Sequence, residues 1–234
     1  MKNIKEQVME VLIKQKAFIL EGGPFFSSGG LKVPFFVDIR RLSSDPKTLK
    51  LIARYFAEIV KENECDYIAG METAGIPYAT AISLEADVPF FYIRKKPQDH
   101  GLKSTIATLP PKEDAKIALV DDAVGGGGAI TLFLENLKKE DYNNVKLFLY
   151  IVEADIMQKA EKRIDELKNQ GVTCHYIITW KEWVDYMLKN NQISEKLAQY
   201  CYEFIENPLS FANEEKLSRY CKDKENGLLW IREK

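Results

Sequence analysis

Two adjacent aspartates, Asp121 and Asp122, stand between four apolar residues and a run of four glycines. The apolar residues 117–120 are typical of a strand buried on both faces, and the segment after the glycines has the periodicity of a helix. In open α/β sheets, ligands bind beyond the carboxyl ends of the strands. The two carboxylates therefore stand where such a fold would bind a ligand.

The four glycines, at positions 125–128, precede the N-terminus of the predicted helix. Unpaired N–H groups and the helix dipole attract anions to such a terminus, and glycines let a phosphate approach the backbone closely. Carboxylates repel a phosphate, so Asp121 and Asp122 suit hydroxyl groups beside it. A ribose 5-phosphate offers this arrangement, with its phosphate on the glycines and its 2- and 3-hydroxyls on the aspartates. A tight turn without a ligand is the structural alternative.

Strands and helices alternate around this segment, which favours a mostly parallel sheet covered by helices. The predicted strands span residues 33–42, 65–72, 88–96, 115–122, 145–154 and 172–180. The predicted helices span residues 3–20, 43–63, 74–86, 129–140, 155–170, 180–190 and 194–207, and a long polar loop covers residues 97–114. We expect one α/β domain over residues 1–234, with a core at about 45–180 and a C-terminal helical extension at about 181–234.

The composition fits an ordinary globular chain and argues against several functions. Of the 234 residues, 46% are hydrophobic and 29% are charged, and the formal net charge is −2. Because there is no basic excess, we expect no nucleic-acid partner, and no apolar run is long enough to span a bilayer. The four cysteines are scattered without a CxxC pair, which disfavours disulfides and a cysteine metal site. We therefore expect a reduced, cytoplasmic protein with no membrane partner.

The segment ALVDDAVGGGGA, residues 118–129, resembles the motif that binds 5-phosphoribosyl 1-diphosphate (PRPP) in type I phosphoribosyltransferases. Four further segments are similar to the orotate phosphoribosyltransferase branch of that family. They are VPFFVDIRRLSSDP at 33–46, GMETAGIPYATAIS at 70–83, YIRKKPQDHG at 92–101 and CYEFIENPLSF at 201–211. The resemblance implies a type I phosphoribosyltransferase-like fold, a mostly parallel twisted sheet flanked by helices, with an N-terminal hood segment.

The resemblance implies a pentosyl transfer. The 5-phosphoribosyl group would pass from PRPP to orotate, giving orotidine 5'-monophosphate and pyrophosphate in pyrimidine biosynthesis. Mg²⁺ is the implied cofactor, held mainly by PRPP near Asp121 and Asp122 rather than by side chains directly. The resemblance also implies a homodimer, a lid at residues 97–110 that serves the neighbouring subunit, and a strained or cis peptide before Thr73.

The resemblance assigns roles to particular residues. The residues implied to be catalytic are Asp121, Asp122, Lys95 and His100. The residues implied to contact PRPP are Thr73, Ala74, Gly75, Arg94, Lys95, Lys96, His100, Asp121, Asp122, Ala123, Val124, Gly125, Gly126, Gly127, Gly128 and Ala129. The residues implied to contact the base are Lys32, Phe35, Phe36, Val37 and Gly125.

Structural alternatives stand beside several of these roles. The basic residues 94–96 would form a solvated strand end in most chains, and His100 alone would be an ordinary loop histidine. Phe35 and Phe36 are neighbours on a predicted strand, so one of them is expected to face the core. Trp180 and Trp183 are predicted to anchor the C-terminal helices in the core and are given no chemistry.

The chain departs from the family pattern on the PRPP side. Gly125 and Gly126 stand where the family usually has threonine, so hydroxyl groups that assist the phosphate are absent. Gln98 stands where the lid usually carries a second lysine, and residues 101–111 replace a glycine-rich stretch. These changes leave open a non-catalytic regulator that binds PRPP or a nucleotide.

The chain also departs on the base side. Ala154 stands where members usually have an arginine directed at the base, and Val33 replaces a common serine. The carboxylate of orotate therefore has no obvious partner in the sequence. A phosphoribosyltransferase for another base is the second alternative to an orotate phosphoribosyltransferase.

Overall fold

Helices alternate with strands along the computed structural model, which describes residues 3–19, 25–26, 32–33, 35–97, 104–108, 111–125, 127–154 and 159–207. The helices are α1 (Ile4–Lys14), α2 (Pro46–Glu62), α3 (Gly75–Ala86), α4 (Gly128–Lys139), α5 (Lys159–Asn169), α6 (Trp180–Lys189) and α7 (Glu195–Glu206), with a 3-10 helix at Ile39–Ser44. The strands are β1 (Phe18–Ile19), β2 (Phe25–Phe26), β3 (Lys32–Val33), β4 (Phe36–Val37), β5 (Tyr67–Met71), β6 (Phe90–Ile93), β7 (Ile106–Ala107), β8 (Ile117–Val120), β9 (Ala123–Val124), β10 (Val145–Glu153) and β11 (Thr173–Thr179).

The central sheet has seven strands among the described residues. Their order is β11-β10-β8-β5-β6-β7, and β9 pairs with β10. These pairings are parallel except that of β6 with β7, which is antiparallel. Two short ribbons, β1 with β4 and β2 with β3, lie outside this sheet. The predicted α/β fold with a mostly parallel sheet flanked by helices is confirmed.

Successive residues of β8 pack into two separate cores, one on each face of the sheet, because side chains alternate along a strand. Ala118 and Val120 belong to the larger core, which also contains residues of α1, α2, α3, α6 and α7. Ile117 and Leu119 belong to a smaller core with residues of α4 and α5. All four side chains are fully buried. This two-sided burial accounts for the uninterrupted apolar run before Asp121.

In the larger core, aromatic residues pack the segment that follows α1 against α6. Trp180 and Trp183 of α6 are 5% and 0% exposed. Their rings lie 5.6 and 6.2 Å from the ring of Phe18, which follows α1. The prediction that the two tryptophans anchor the C-terminal helices is confirmed.

The predicted strand at residues 33–42 is wrong over most of its length. Within it, Val33 pairs with β2 and Phe36–Val37 pairs with β1, and Ile39–Ser44 forms the 3-10 helix. The guanidinium of Arg41 explains the departure, because its Nη1 donates to the carbonyls of Gln15 and Lys16 at 2.8 and 2.7 Å. These bonds tie the segment to the end of α1, which favours a turn over an extended strand.

The last predicted strand, residues 172–180, ends one residue early, at Thr179, because Thr179 caps the helix that follows. The Oγ1 of Thr179 accepts from the N–H of Glu182 at 3.0 Å, and the carboxylate of Glu182 accepts from the N–H of Thr179 at 2.8 Å. This capping box starts α6 at Trp180.

The short strands β7 and β9 were not predicted. No helix within the described ranges has the length and apolar character needed to cross a membrane.

Candidate active site

Asp121 and Asp122 lie at the carboxyl end of β8, where the chain leaves the centre of the sheet. The Oδ1 of Asp121 accepts from the N–H of Asp122 at 2.9 Å, and the Oδ1 of Asp122 accepts from the N–H of Ala123 at 2.8 Å. The carbonyl of Asp122 accepts from Ile151 and Val152 of β10 at 3.0 and 3.2 Å. Both aspartates are thus held rigidly by the neighbouring strand.

The two carboxylates share a partly buried position. Burial, followed by the adjacent charge of Asp122, raises the pKa of Asp121 well above its ordinary value. Burial also raises the pKa of Asp122. The charges of Lys95 and Arg40 act in the opposite direction on Asp121 and Asp122 respectively. Such a pair suits ligand hydroxyls that donate hydrogen bonds, or a positive charge that develops beside it.

The glycine loop, residues 125–128, connects β9 to α4. Gly127 is the N-cap of α4 and has a φ of 71°, a conformation that glycine adopts without strain. Among the described atoms, a methyl group added at Gly125 would meet only the carbonyl oxygen of Ala154, at 3.9 Å. One added at Gly128 would find no described heavy atom within 4 Å, apart from its own helix backbone. The described part of this loop therefore borders open space at a helix N-terminus, and helix N-termini are favourable positions for a phosphate.

The cis-peptide loop, residues 72–75, lies against the other side of Asp121. The peptide between Glu72 and Thr73 is cis, in agreement with the expectation for that position. A methyl group added at Gly75 would lie 2.2 Å from the carbonyl oxygen of Val120 and 3.2 Å from the Cα of Asp121. Gly75 therefore packs directly against the end of β8, and the two loops meet at the aspartate pair.

Lys95 lies close to this junction. Its N–H donates to the carboxylate of Glu72 at 2.7 Å, and its charge is close enough to lower the pKa of Asp121. The cis-peptide loop thus fixes the backbone from which Lys95 projects. Lys95 and Lys96 are both exposed, so what distinguishes Lys95 from an ordinary solvated strand end is its effect on Asp121.

Arg94 is partly engaged by the protein itself. Its Nη1 donates to the carbonyl of Ser104 at 3.3 Å, and its guanidinium lies 5.5 Å from the ring centroid of Tyr92. The carbonyls of Arg94 and Lys95 both accept from Nδ2 of Asn136, at 2.9 and 3.4 Å. Asn136 is only 3% exposed, so the middle of α4 fixes this segment from inside the protein.

The far end of the predicted lid is also tied to α4. Glu140, which follows the last turn of α4, accepts from the hydroxyl of Ser104 at 2.8 Å and from the N–H of Thr105 at 2.9 Å. These hydrogen bonds outweigh burial and lower the pKa of Glu140. The predicted lid residues 98–103 and 109–110, including Gln98 and His100, lie outside the described residues.

The burial of Phe35 in the core disfavours the base contact that the resemblance implies for it. Its side chain is 5% exposed and packs against Trp180 and Phe204, with ring centroids 5.4 and 5.0 Å away. The expectation that one of the two phenylalanines faces the core is confirmed. Phe36 is only partly buried and lies 6.0 Å from the ring of Phe25, so it is the phenylalanine that remains available to a ligand.

The structure gives fewer contacts for the other residues on the side of the base. Val37 is half-buried and packs against the larger core. The side chain of Lys32 and the position of Gly126 lie outside the described residues. Ala154 donates its N–H to the carbonyl of Val124 at 2.9 Å, and its own carbonyl oxygen lies beside Gly125.

Three residues of the site were missed by sequence reasoning: Arg40, Glu72 and Asn136. Arg40 lies in a segment predicted as a strand, and the contacts of Glu72 and Asn136 join residues 23 to 42 positions apart. No local pattern carries such long-range information. The buried polar side chain of Asn136 inside an amphipathic helix was the one available signal.

Magnesium carried by a diphosphate would find suitable chemistry at the aspartate pair. Carboxylate oxygens are the ligands that Mg²⁺ prefers, and both aspartates keep oxygen atoms available. In the described ranges, no three His, Cys, Asp or Glu side chains come together to hold a metal alone. The residues present therefore fit a metal held mainly by the substrate.

Comparison with known proteins places these features in one family. The family model described as the phosphoribosyl transferase domain matches residues 38–187. Orotate phosphoribosyltransferase from Methanosarcina mazei is 35% identical over 139 residues, covering 58% of this chain and 73% of that protein. Orotate phosphoribosyltransferase from Listeria innocua is 30% identical over 212 residues, covering 88% of this chain and 97% of that protein.

A solved structure supports the fold. The crystal structure of orotate phosphoribosyltransferase from Aeropyrum pernix is similar to this chain with a TM-score of 0.61 and 23% sequence identity. The similarity covers 77% of this chain and 98% of that one. The shared architecture spans nearly the whole of the smaller chain.

Proposed function

The chain belongs to the phosphoribosyltransferase family, and on that basis we propose that it is an orotate phosphoribosyltransferase. It transfers the 5-phosphoribosyl group from PRPP to orotate and gives orotidine 5'-monophosphate and pyrophosphate, a step of pyrimidine biosynthesis. The observation that carries the proposal is the junction at Asp121, where the open glycine loop and the cis-peptide loop meet at an aspartate pair. PRPP has a phosphate, a diol and a diphosphate in the matching order.

Each part of PRPP has a suitable partner in this arrangement. The 5-phosphate lies on the glycine loop and the N-terminus of α4, and the ribose hydroxyls donate to Asp121 and Asp122. The diphosphate lies on the amides of residues 73–75, with Lys95 beside it. This placement holds the reacting carbon in a fixed orientation, which is a large part of what an enzyme contributes to such a transfer.

The reaction exchanges one bond at C1 of the ribose. N1 of orotate loses its proton and forms a bond to C1 as the C1–oxygen bond to pyrophosphate breaks; the electron pair of that bond leaves with pyrophosphate, which also takes up the proton. Positive charge develops on the ribose beside Asp121 and Asp122, whose negative charges stabilise it. Lys95 neutralises part of the charge on the leaving group. When bound, Mg²⁺ supplies further charge neutralisation on the diphosphate.

We also propose the assembly and location that accompany this activity. A homodimer would let the lid of one subunit, residues 97–110, cover the site of its partner and exclude water. The free thiols of Cys65, Cys174 and Cys201 fit a reducing, cytoplasmic compartment. Size measurement of the purified chain tests the dimer directly.

The activity is tested by mixing the purified chain with Mg²⁺, PRPP and orotate and following the ultraviolet absorbance of orotate. Loss of the orotate signal with stoichiometric pyrophosphate supports the proposal. Turnover of another base but not orotate would instead favour the alternative suggested by Ala154 and Val33. PRPP binding without turnover of any base would favour a regulator.

The variant Gln98→Lys sharpens this test, because it restores the lysine that the family usually has in the lid. A large gain in rate would show that the remaining machinery is intact. A matched control is Gln7→Lys on α1, which adds the same charge away from the aspartate pair and is expected to leave the rate unchanged.

A further inference from the structure

We infer that Arg40 binds the carboxylate of orotate and makes the site specific for a base that carries one. The inference rests on the proposed function and names the group that replaces the arginine missing at Ala154. It is carried by the different surroundings of two adjacent arginines, Arg40 and Arg41, in the 3-10 helix.

Arg41 is committed to structure. Its Nη1 donates to two backbone carbonyls at the end of α1, those of Gln15 and Lys16. Its Nε lies 3.6 Å from the carboxylate of Asp38. These contacts fix the 3-10 helix on one side, and the hydroxyl of Tyr78 fixes it on the other by donating to the carbonyl of Ile39 at 3.3 Å.

Arg40 has a different set of contacts. Its Nε donates to Oδ1 of Asp38 at 2.6 Å, and its guanidinium lies 5.9 Å from the centroid of the Phe36 ring. Within the described part of the chain, its Nη1 and Nη2 make no hydrogen bond to the protein, and the side chain is 60% exposed. Asp38 and Phe36 therefore orient the guanidinium while leaving its two terminal nitrogens for a ligand.

The position of Arg40 matches the base rather than the phosphates. Asp122 raises the pKa of Arg40, after the larger effect of Asp38, so the two charges lie within reach of each other. Lys95 acts on Asp121 from the side of the cis-peptide loop. Lys95 thus adjoins the cis-peptide loop, whereas Arg40 lies beside Phe36, a residue implied to contact the base.

The chemistry of a guanidinium fits the carboxylate of orotate. Two parallel N–H groups bind both oxygens of a carboxylate, and a guanidinium already held by an ion pair and beside a ring loses little freedom when it does so. Uracil has the same ring as orotate without the carboxylate. An exposed arginine held this way distinguishes the two bases by charge.

The test is calorimetric titration with orotidine 5'-monophosphate and uridine 5'-monophosphate, which differ only in the carboxylate. The wild type is expected to prefer orotidine 5'-monophosphate. Arg40→Gln is expected to weaken that ligand about 10- to 100-fold and leave uridine 5'-monophosphate unchanged. Arg40→Lys keeps the positive charge but lacks two parallel N–H groups. Its affinity for orotidine 5'-monophosphate should therefore lie between those of the wild type and Arg40→Gln. Arg54→Gln, which removes a surface ion pair with Glu85, is the matched control and should keep the preference.

The outcomes separate the inference from the proposed function. If the wild type prefers orotidine 5'-monophosphate and Arg40→Gln keeps that preference, the role of Arg40 is overturned while the proposed function stands. If the wild type shows no preference and does not consume orotate, the proposed function is overturned and the role of Arg40 with it. Equal weakening of both nucleotides by Arg40→Gln would also overturn the inference, because it would indicate a structural role.

Discussion

The glycine loop and the cis-peptide loop both place glycines around the aspartate pair, but for opposite physical reasons. Gly75 is required by packing, because an added methyl group would lie 2.2 Å from the backbone of Val120. Gly125 and Gly128 are not, since an added methyl group would meet one described atom at 3.9 Å or none within 4 Å.

The difference shows how the two loops divide the work of the site. The cis-peptide loop packs directly against the end of β8, beside Asp121. Gly125 and Gly128 leave space free beside a helix N-terminus, which we propose is filled by the 5-phosphate. Gly75, in contrast, is explained by a close contact between two segments of the protein.

The largest effect is expected for Gly75→Ala. The new methyl group overlaps backbone atoms that cannot rotate away, so the end of β8 must shift and move Asp121 with it. We expect the free energy of unfolding to fall by about 1–3 kcal/mol or more, together with loss of activity. Denaturant unfolding measures the first and the orotate assay the second. An unchanged unfolding midpoint would contradict the close packing.

Asp121→Asn should separate activity from stability. The amide keeps the shape and the hydrogen bond from Asp122 but removes the charge that stabilises the transition state, so we expect turnover to fall about 10²- to 10³-fold. The folded chain should be as stable as the wild type or more so, since a charged carboxylate is no longer buried. A kinetic assay beside thermal unfolding measures both, and a strongly destabilised variant would contradict this account.

The same aspartate predicts a pH dependence. Its folded-state pKa is raised above the unfolded value of about 3.9, so the folded chain binds more protons between the two values. Its contribution to stability therefore falls as the pH rises through that window and is constant above it. Unfolding measured across pH should show this slope reduced in Asp121→Asn. An identical slope in both proteins would place the raised pKa elsewhere.

Gly128→Ala tests the glycine loop in the opposite sense to Gly75→Ala. The position is in the first turn of α4, where alanine should leave stability unchanged or raise it by about 0.4–1 kcal/mol. The methyl group would occupy space assigned to the phosphate, so the KM for PRPP should rise about tenfold. Thermal unfolding and initial rates check the two parts. An unchanged KM would indicate that the phosphate lies elsewhere.

The smallest effect is expected for Gly125→Thr, which restores the residue usual in the family. The described surroundings leave room for the side chain, and its hydroxyl can donate to the phosphate. We expect the KM for PRPP to fall by up to about tenfold, since a hydrogen bond to a charged group contributes about 1.5 kcal/mol or more. Initial rates at low PRPP measure this. Gly125→Ala is the control, because it adds a methyl group without a hydroxyl.

Much of the fold could be predicted because its elements depend on local patterns. The strand before Asp121 is a run of four residues buried on both faces. The start of α2 could be predicted from Asp45 and Pro46. The carboxylate of Asp45 accepts from the N–H of Thr48 at 2.9 Å, and Pro46 lies in the first turn. The position of the aspartate pair follows directly, since it comes at the end of a central parallel strand.

The rest depends on contacts between distant parts of the chain. The 3-10 helix forms because Arg41 reaches carbonyls 25 and 26 residues away. Alternation could say that one of two neighbouring phenylalanines faces the core, but the choice of Phe35 depends on Trp180 and Phe204 in the C-terminal helices. The exposure of the Arg40 side chain likewise depends on the contacts of Arg41 that hold the 3-10 helix in place.

Calorimetric titration of PRPP with Mg²⁺ into the wild type and Gly128→Ala tests the central claim most directly. We expect one PRPP per chain for the wild type, and an affinity about tenfold lower for Gly128→Ala at an unchanged melting temperature. Equal affinities for the two proteins, or no heat of binding in the wild type, would contradict the claim that the open glycine loop holds the 5-phosphate.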